Sequence, residues 1–126
     1  MEYVGVVAIE MFQAGDELIV NEIAPRVHNS GHWTQGAGIC TQFENHLRAI
    51  CDFGLGNTTN NQHAAMVNLL GIEAPKEIVS ESNVQHHVYN KSLRPGRKVG
   101  HLNLASDDRA ALEAQVKRIR DSLYED

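Results

Sequence analysis

The sequence predicts a mixed α/β (α+β) fold, in which an antiparallel β-hairpin precedes a small domain of strands and helices. Three observations carry this. Two apolar runs, Tyr3 to Phe12 and Leu18 to Ala24, flank Gln13-Ala14-Gly15-Asp16-Glu17, whose Gly and Asp suit a tight turn. Thr41-Gln42-Phe43-Glu44 reads as a capping box that opens a helix. At the carboxyl end Leu112, Val116, Ile119 and Leu123 form an apolar stripe at helical spacing.

In the hairpin, symmetry about a turn centred near Asp16 sets Glu10 opposite Glu22 and Phe12 opposite Val20. Directly opposed side chains lie about 5 Å apart. Two carboxylates at that distance repel by about 3 kcal/mol at an effective dielectric of 20. A hard divalent cation with oxygen ligands, Mg²⁺ above all, removes that repulsion and brings phosphates with it. If instead the register is shifted by one residue, one of the two carboxylates simply points to water.

The second strand runs into Asn21-Glu22-Ile23-Ala24-Pro25-Arg26-Val27-His28-Asn29-Ser30-Gly31-His32-Trp33, which collects acceptors, donors and a cation where the alternating pattern stops. The capping box then starts a helix from about Thr41 to Cys51, with Phe43, Leu47 and Ile50 at helical spacing. On it, His46 and Arg48 read as solvated, and Cys40 and Cys51 as small apolar fillers. Asp52 to His63 is a loop and Ala64 to Leu70 a buried strand closed by Gly71, in which Asn68 needs a partner. Ile72 to Asn83, with Pro75, is a connector or short helix. His86 to Asn90 and Val99 to Leu104 are strands joined by the loop Lys91 to Lys98. Ser106-Asp107-Asp108 caps the last helix.

Composition narrows the function classes. With 126 residues and 42% hydrophobic content the chain suits one ordinary domain with a modest core. No apolar run approaches the roughly 20 residues of a membrane span, and no basic-then-apolar leader opens the chain. The net charge of −5 opposes general nucleic-acid binding. Lys91, Arg94, Arg97 and Lys98 nevertheless crowd into eight positions, and Pro95-Gly96 favours a turn that aims them together at a compact anion such as a phosphate. Taken alone, that segment reads more readily as a solvated basic turn, and the Glu10/Glu22 pair shifts the balance toward a phosphate site. Two cysteines without short spacing point to reduced thiols in a cytoplasmic protein.

Other chemistries fit poorly. His28 and His32 are separated by Asn29-Ser30-Gly31, which opposes a helix, and adjacent His86 and His87 on a strand point to opposite sides, so zinc is not expected. Ser30 lacks the glycine that a nucleophile elbow requires, and no Walker-type phosphate loop is present.

The segment Asn21 to Trp33 closely resembles the signature of the PurK family of ATP-grasp ligases, the 5-(carboxyamino)imidazole ribonucleotide synthases. Arg94-Pro95-Gly96-Arg97-Lys98-Val99-Gly100-His101 resembles the family's second signature, and Gln42 to Ile50 and Ala65 to Gly71 also fit. Val27 departs from the family's usual proline. Asn90 stands where glycine is common, and asparagine tolerates left-handed backbone better than most residues.

The resemblance implies Mg²⁺ (or Mn²⁺) with ATP as co-substrate, bicarbonate activated as carboxyphosphate, and carboxylation of aminoimidazole ribonucleotide in purine biosynthesis. It assigns Glu10 and Glu22 to the metal and Asn21 with Glu22 to ATP. It puts Arg26, His28 and Asn29 in catalysis, and those three with Ser30 on bicarbonate and the nucleotide. Lys91, Arg94, Arg97 and Lys98 fall on the nucleotide's 5′-phosphate.

It further implies that residues 1–35 are the carboxy-terminal part of an ATP-grasp domain and residues 36–126 a small α/β carboxy-terminal domain. On that reading a missing amino-terminal portion completes the ATP site, the full-length protein tends to a homodimer, and the chain by itself is inactive. Two alternatives are a formate-dependent glycinamide ribonucleotide transformylase and a non-catalytic ATP-grasp-derived binding module. His28 to Trp33 argues against the first, and retention of Glu10, Glu22, Arg26 and the basic turn against the second.

Overall fold

A computed structural model describes residues 2–124 of the chain. Met1, the start of the first expected segment, and residues 125–126, the end of the second, lie outside the described residues.

The hairpin is formed by β1 (Ala8–Ala14) and β2 (Glu17–Ala24), joined by a turn at Gly15 and Asp16. Gly15 adopts φ 65°, a left-handed conformation that an unsubstituted α-carbon takes without penalty. The first strand begins at Ala8 and not at Tyr3. The segment before it is tethered instead, because Val6 N–H donates to His46 Nδ1 at 3.0 Å. His46 is therefore a structural acceptor and not a solvated side chain.

Register departs from the simple symmetric expectation in an instructive way. Ala14 pairs with Glu17, Phe12 with Ile19 and Met11 with Val20, and then Glu10 pairs with Glu22. The expected Phe12–Val20 pair is absent because the turn centre lies between Gly15 and Asp16. A bulge between Glu10 and Met11 shifts the register there, so Asn21 becomes the extra residue and the two acids meet.

A 3₁₀ helix (Asn29–Gln35) follows, where the sequence suggested only irregular backbone opposed to helix. Then comes α1 (Gln42–Ile50), capped as expected by Thr41, whose hydroxyl accepts from Glu44 N–H at 3.1 Å. Its apolar stripe faces outward: Phe43, Leu47 and Ile50 are 36%, 62% and 55% exposed, and the residue the helix buries is Gln42. Cys51, the C-cap of α1, is exposed, so it is no core filler.

The second sheet has the order β3 (His63–Leu70), β5 (Lys98–Ser106), β4 (Val84–Val88), all antiparallel. Its two faces differ in chemistry, because successive side chains alternate across the sheet. Leu102 and Leu104 of β5 join Val67, Leu69 and Ile78 in a core closed by Leu112 and Ile119 of α3 (Arg109–Tyr124), with Val116 and Leu123 packed beside them. Ile78 comes from the single-turn α2 (Lys76–Val79). Each such fully buried aliphatic side chain contributes roughly 1.5–3 kcal/mol. The cap of α3 is Asp108, whose Oδ1 accepts from Ala111 N–H at 3.1 Å.

The opposite face is polar. Asn68, His101 and His87 lie directly across from one another on the three strands, and Asn103 is the next residue of β5 on that side. The 3₁₀ helix is tied to this face, since Asn103 Nδ2 donates to the His32 carbonyl at 2.9 Å. Gly71 (φ 73°) ends β3 and donates its N–H to Arg97 O at 2.6 Å. An added Cβ there would collide with the Arg94 carbonyl, so the glycine lets the basic turn pack against the strand end. Asn90 has φ 52°, as the sequence anticipated.

Candidate functional site

The bulge puts both hairpin acids on one side of the ribbon. Carboxylate oxygens of Glu10 and Glu22 and a ring nitrogen of His28 all lie within 4.8 Å of one another. Asn21 Nδ2 donates to Glu10 Oε1 at 2.7 Å, and His28 Nε2 sits 3.1 Å from Glu22 Oε1. Both acids are exposed, so water screens them and their repulsion falls toward about 1 kcal/mol, below the sequence-based figure. Amide and imidazole donors relieve it further. A cation is thus not forced by repulsion. The two carboxylates themselves fit one, since hard oxygen donors suit Mg²⁺ or Mn²⁺, with the imidazole lying beside them.

His28 is oriented from both ends. Its Nδ1 lies 2.8 Å from Ser30 Oγ and accepts the Ser30 backbone N–H at 3.4 Å, which leaves the ring proton on Nε2, directed at Glu22. Glu10, Asn21, Glu22, His28 and Ser30 therefore form one connected network. Arg26 stays outside it: its guanidinium is exposed and Nη1 donates to Val27 O at 3.0 Å. Asn29 Oδ1 is buried with no hydrogen-bond partner among the described residues, an open acceptor at the start of the 3₁₀ helix.

His32 turns away from His28, as the intervening residues suggested, and joins a stack on the polar face of the sheet. Its ring lies 5.4 Å from Phe43 on one side and 5.0 Å from His101 on the other, and His101 lies 4.5 Å from His87. Tyr89 Oη is 2.6 Å from His101 Nδ1. Burial keeps these imidazoles neutral: the pKa of His101, only 2% exposed, is lowered to about 4 by desolvation, with help from His87, His32, Lys98 and His86. His32 and His87 are lowered as well, first by burial. A cleft of about 340 Å³ opens over the stack, lined by His32, Phe43, His87, Tyr89 and His101 among others.

The four expected phosphate cations are not equivalent. Lys98 is half-buried, and burial and the neighbouring Lys91 lower its pKa. Lys91 Nζ lies 5.4 Å over the Tyr89 ring. Arg94 is exposed at the turn, whereas Arg97 is half-buried and its Nη1 donates to Ser92 Oγ at 2.9 Å.

Sequence reasoning missed Gln42, Tyr89, His101 and Asn103. Gln42 read as the first residue of a surface helix. For His101 and Asn103 a signal existed: polar residues alternating with Leu102 and Leu104 in a strand mark a two-faced sheet with a covered polar side.

The family profile described as the ATP-grasp domain matches residues 1–43, and the one described as the phosphoribosylaminoimidazole carboxylase C-terminal domain matches residues 64–115. An N5-carboxyaminoimidazole ribonucleotide synthase of Vibrio cholerae is 45% identical over 126 residues, covering 99% of this chain and 33% of the relative. Among solved structures, the N5-carboxyaminoimidazole ribonucleotide synthetase of Thermus thermophilus superposes with TM-score 0.89 at 48% identity, covering 99% of this chain and 35% of that one. The N5-carboxyaminoimidazole synthase of Aspergillus clavatus, solved with ADP and 5-aminoimidazole ribonucleotide, gives TM-score 0.81 at 33% identity over 94% of this chain and 35% of that one. The chain thus spans about a third of the length of the curated relatives it matches.

Proposed function

We propose, from the profile matches at residues 1–43 and 64–115, that the chain serves within a longer carboxylating ligase. That ligase converts 5-aminoimidazole ribonucleotide, bicarbonate and ATP to N5-carboxyaminoimidazole ribonucleotide, ADP and phosphate through carboxyphosphate. The observation that carries this is the convergence of Glu10 and Glu22 on one side of the ribbon, beside His28. On this reading the division falls at residues 1–35 and 36–126, and the complete protein is a cytoplasmic homodimer.

Glu10 and Glu22 hold Mg²⁺ or Mn²⁺, and Asn21 with Glu22 faces ATP. When bound, the ion neutralises the phosphate oxygens and fixes their orientation. The residues of this chain then bind and place the smaller reactants. Arg26 is free to turn its guanidinium toward an anion, since among the described residues its side chain bonds only the adjacent carbonyl. Asn29 offers an unused acceptor, and Ser30 holds the His28 ring so that its Nε2 can give or take a proton. Lys91 and Lys98 supply close positive charge for the nucleotide 5′-phosphate, with Arg94 and Arg97 on the exposed turn able to close over it. Partial burial suits Lys98 to this role, because a desolvated cation interacts more strongly with a phosphate than a solvated one.

The test is an assay of the complete protein for phosphate release with each nucleotide and one-carbon donor. Release should require aminoimidazole ribonucleotide together with bicarbonate. Turnover of glycinamide ribonucleotide with formate would instead identify the transformylase, and no turnover of either would leave a binding module.

A further inference from the structure

Gln42, the first residue of α1, is only 9% exposed, and both polar atoms of its amide are hydrogen-bonded. Oε1 accepts the His28 backbone N–H at 2.9 Å. Nε2 donates to the His28 carbonyl at 2.7 Å and lies 2.8 Å from His32 Nδ1. One side chain thus grips both backbone polar groups of the residue that faces Glu22. The arrangement is itself braced: Thr34 Oγ1 accepts Gln42 N–H at 3.1 Å and donates to the Gly31 carbonyl at 2.6 Å. Gly31 is the residue that permits it, since a Cβ there would run into the Gln42 amide.

The bonding also fixes chemistry. A backbone N–H can only donate, so the group facing His28 N must be the amide oxygen, and the NH₂ must face the carbonyl and His32. His32 Nδ1 then has to accept, which puts the His32 proton on Nε2. We propose that Gln42 is a positioning residue, which sets the direction of the His28 ring toward Glu22 and selects the Nε2-protonated tautomer of His32. For its catalytic meaning this rests on the proposed role of His28, whereas the geometry does not. Through this amide, α1 couples the acid-bearing ribbon to the imidazole stack on the sheet.

Two variants of the 126-residue chain separate the parts of the claim, read by ¹⁵N NMR of the histidine rings and by amide exchange. In Gln42→Met both clamps are lost: exchange of the His28 amide should accelerate about tenfold, and His32 should become a mixture of tautomers. In Gln42→Glu the acceptor for His28 N–H remains, so exchange stays slow, but the carboxylate has no N–H to give to His32 Nδ1 and can only accept from it, so the neutral ring places its proton on Nδ1 and the tautomer reverses. A residue that merely filled space would not reverse a tautomer on this conservative change. Unchanged His28 exchange in Gln42→Met, or an unchanged His32 signature in Gln42→Glu, overturns the proposal. Adding Mn²⁺ alone distinguishes it from the functional reading. If Mn²⁺ fails to broaden the resonances of Glu10 and Glu22 in the unmodified chain, the metal assignment falls, and the exchange and tautomer results still decide Gln42.

Discussion

The ribbon of residues 8–24 and the three-stranded sheet hold their shapes by opposite means. In the ribbon every residue but Ala8 and Ala24 is exposed, including Ile9, Phe12, Leu18, Val20 and Ile23. Two strands alone are marginally stable in water, so its apolar side chains contribute little here. The sheet buries Leu69, Leu102, Leu104 and Ile119 almost completely. The candidate metal ligands thus stand on the weakly held element, whereas the 3₁₀ segment beside them is held from elsewhere: Gln42 of α1 grips His28, and Asn103 of the sheet bonds the His32 carbonyl. Precision at the site comes from buried polar clamps, Gln42 and Asn103, and not from the ribbon's own packing.

The contrast is tested first by truncation. Leu102→Ala should cost about 2–5 kcal/mol in denaturant unfolding, because a fully buried leucine leaves a cavity. Ile9→Ala should stay within roughly 0.5 kcal/mol, as exposed positions do. Equal losses would erase the distinction between the two regions.

Acid should weaken the sheet side next. The folded pKa of His101 lies below its ordinary value, so the neutral form is the one the fold favours. Between pH 6.5 and about 4 the unfolded chain takes up a proton that the folded chain refuses, and stability falls as pH falls through that window. The gap corresponds to about 3 kcal/mol, shared with His32 and His87, whose pKa values are lowered in the same sense. Stability should be flat above pH 7 as far as these groups are concerned. In His101→Phe the slope of unfolding free energy against pH between 4 and 6.5 should shrink.

Asn103→Ala removes the bond from the sheet to the His32 carbonyl. About 1 kcal/mol should be lost, with faster amide exchange in the 3₁₀ helix and none in β1 or β2. The smallest effect belongs to Glu81, which accepts two bonds from Arg118 Nη2 at 2.7 Å each and one from Gln115, so that its pKa is lowered. The Arg118 side chain is 55% exposed, so Glu81→Gln should cost under about 1 kcal/mol in thermal unfolding at neutral pH.

How much of this was legible depended on whether a residue's partner was local. The turn at Gly15 and Asp16, the cap at Thr41 and the stripe of α3 are written within a few residues of themselves, and each formed, the turn with its centre displaced from Asp16 toward Gly15. Glu10 met Glu22 although the reasoning behind the pairing was incomplete, since the bulge at Asn21 and the shifted turn centre offset one another. The outward stripe of α1 was unreadable, because periodicity gives a face and says nothing of what covers it. Gln42 and the imidazole stack depend on contacts across 10 to 14 residues of loop or between strands, and a single polar residue at a helix start carries no mark of burial.

The most direct test of the site is a Mn²⁺ titration of the chain followed by electron paramagnetic resonance, with Glu10→Gln and Glu22→Gln beside it. One ion should bind per chain, and each substitution should weaken it by about tenfold or more. Binding that neither substitution alters would contradict the assignment of this acidic pair as the ligand set.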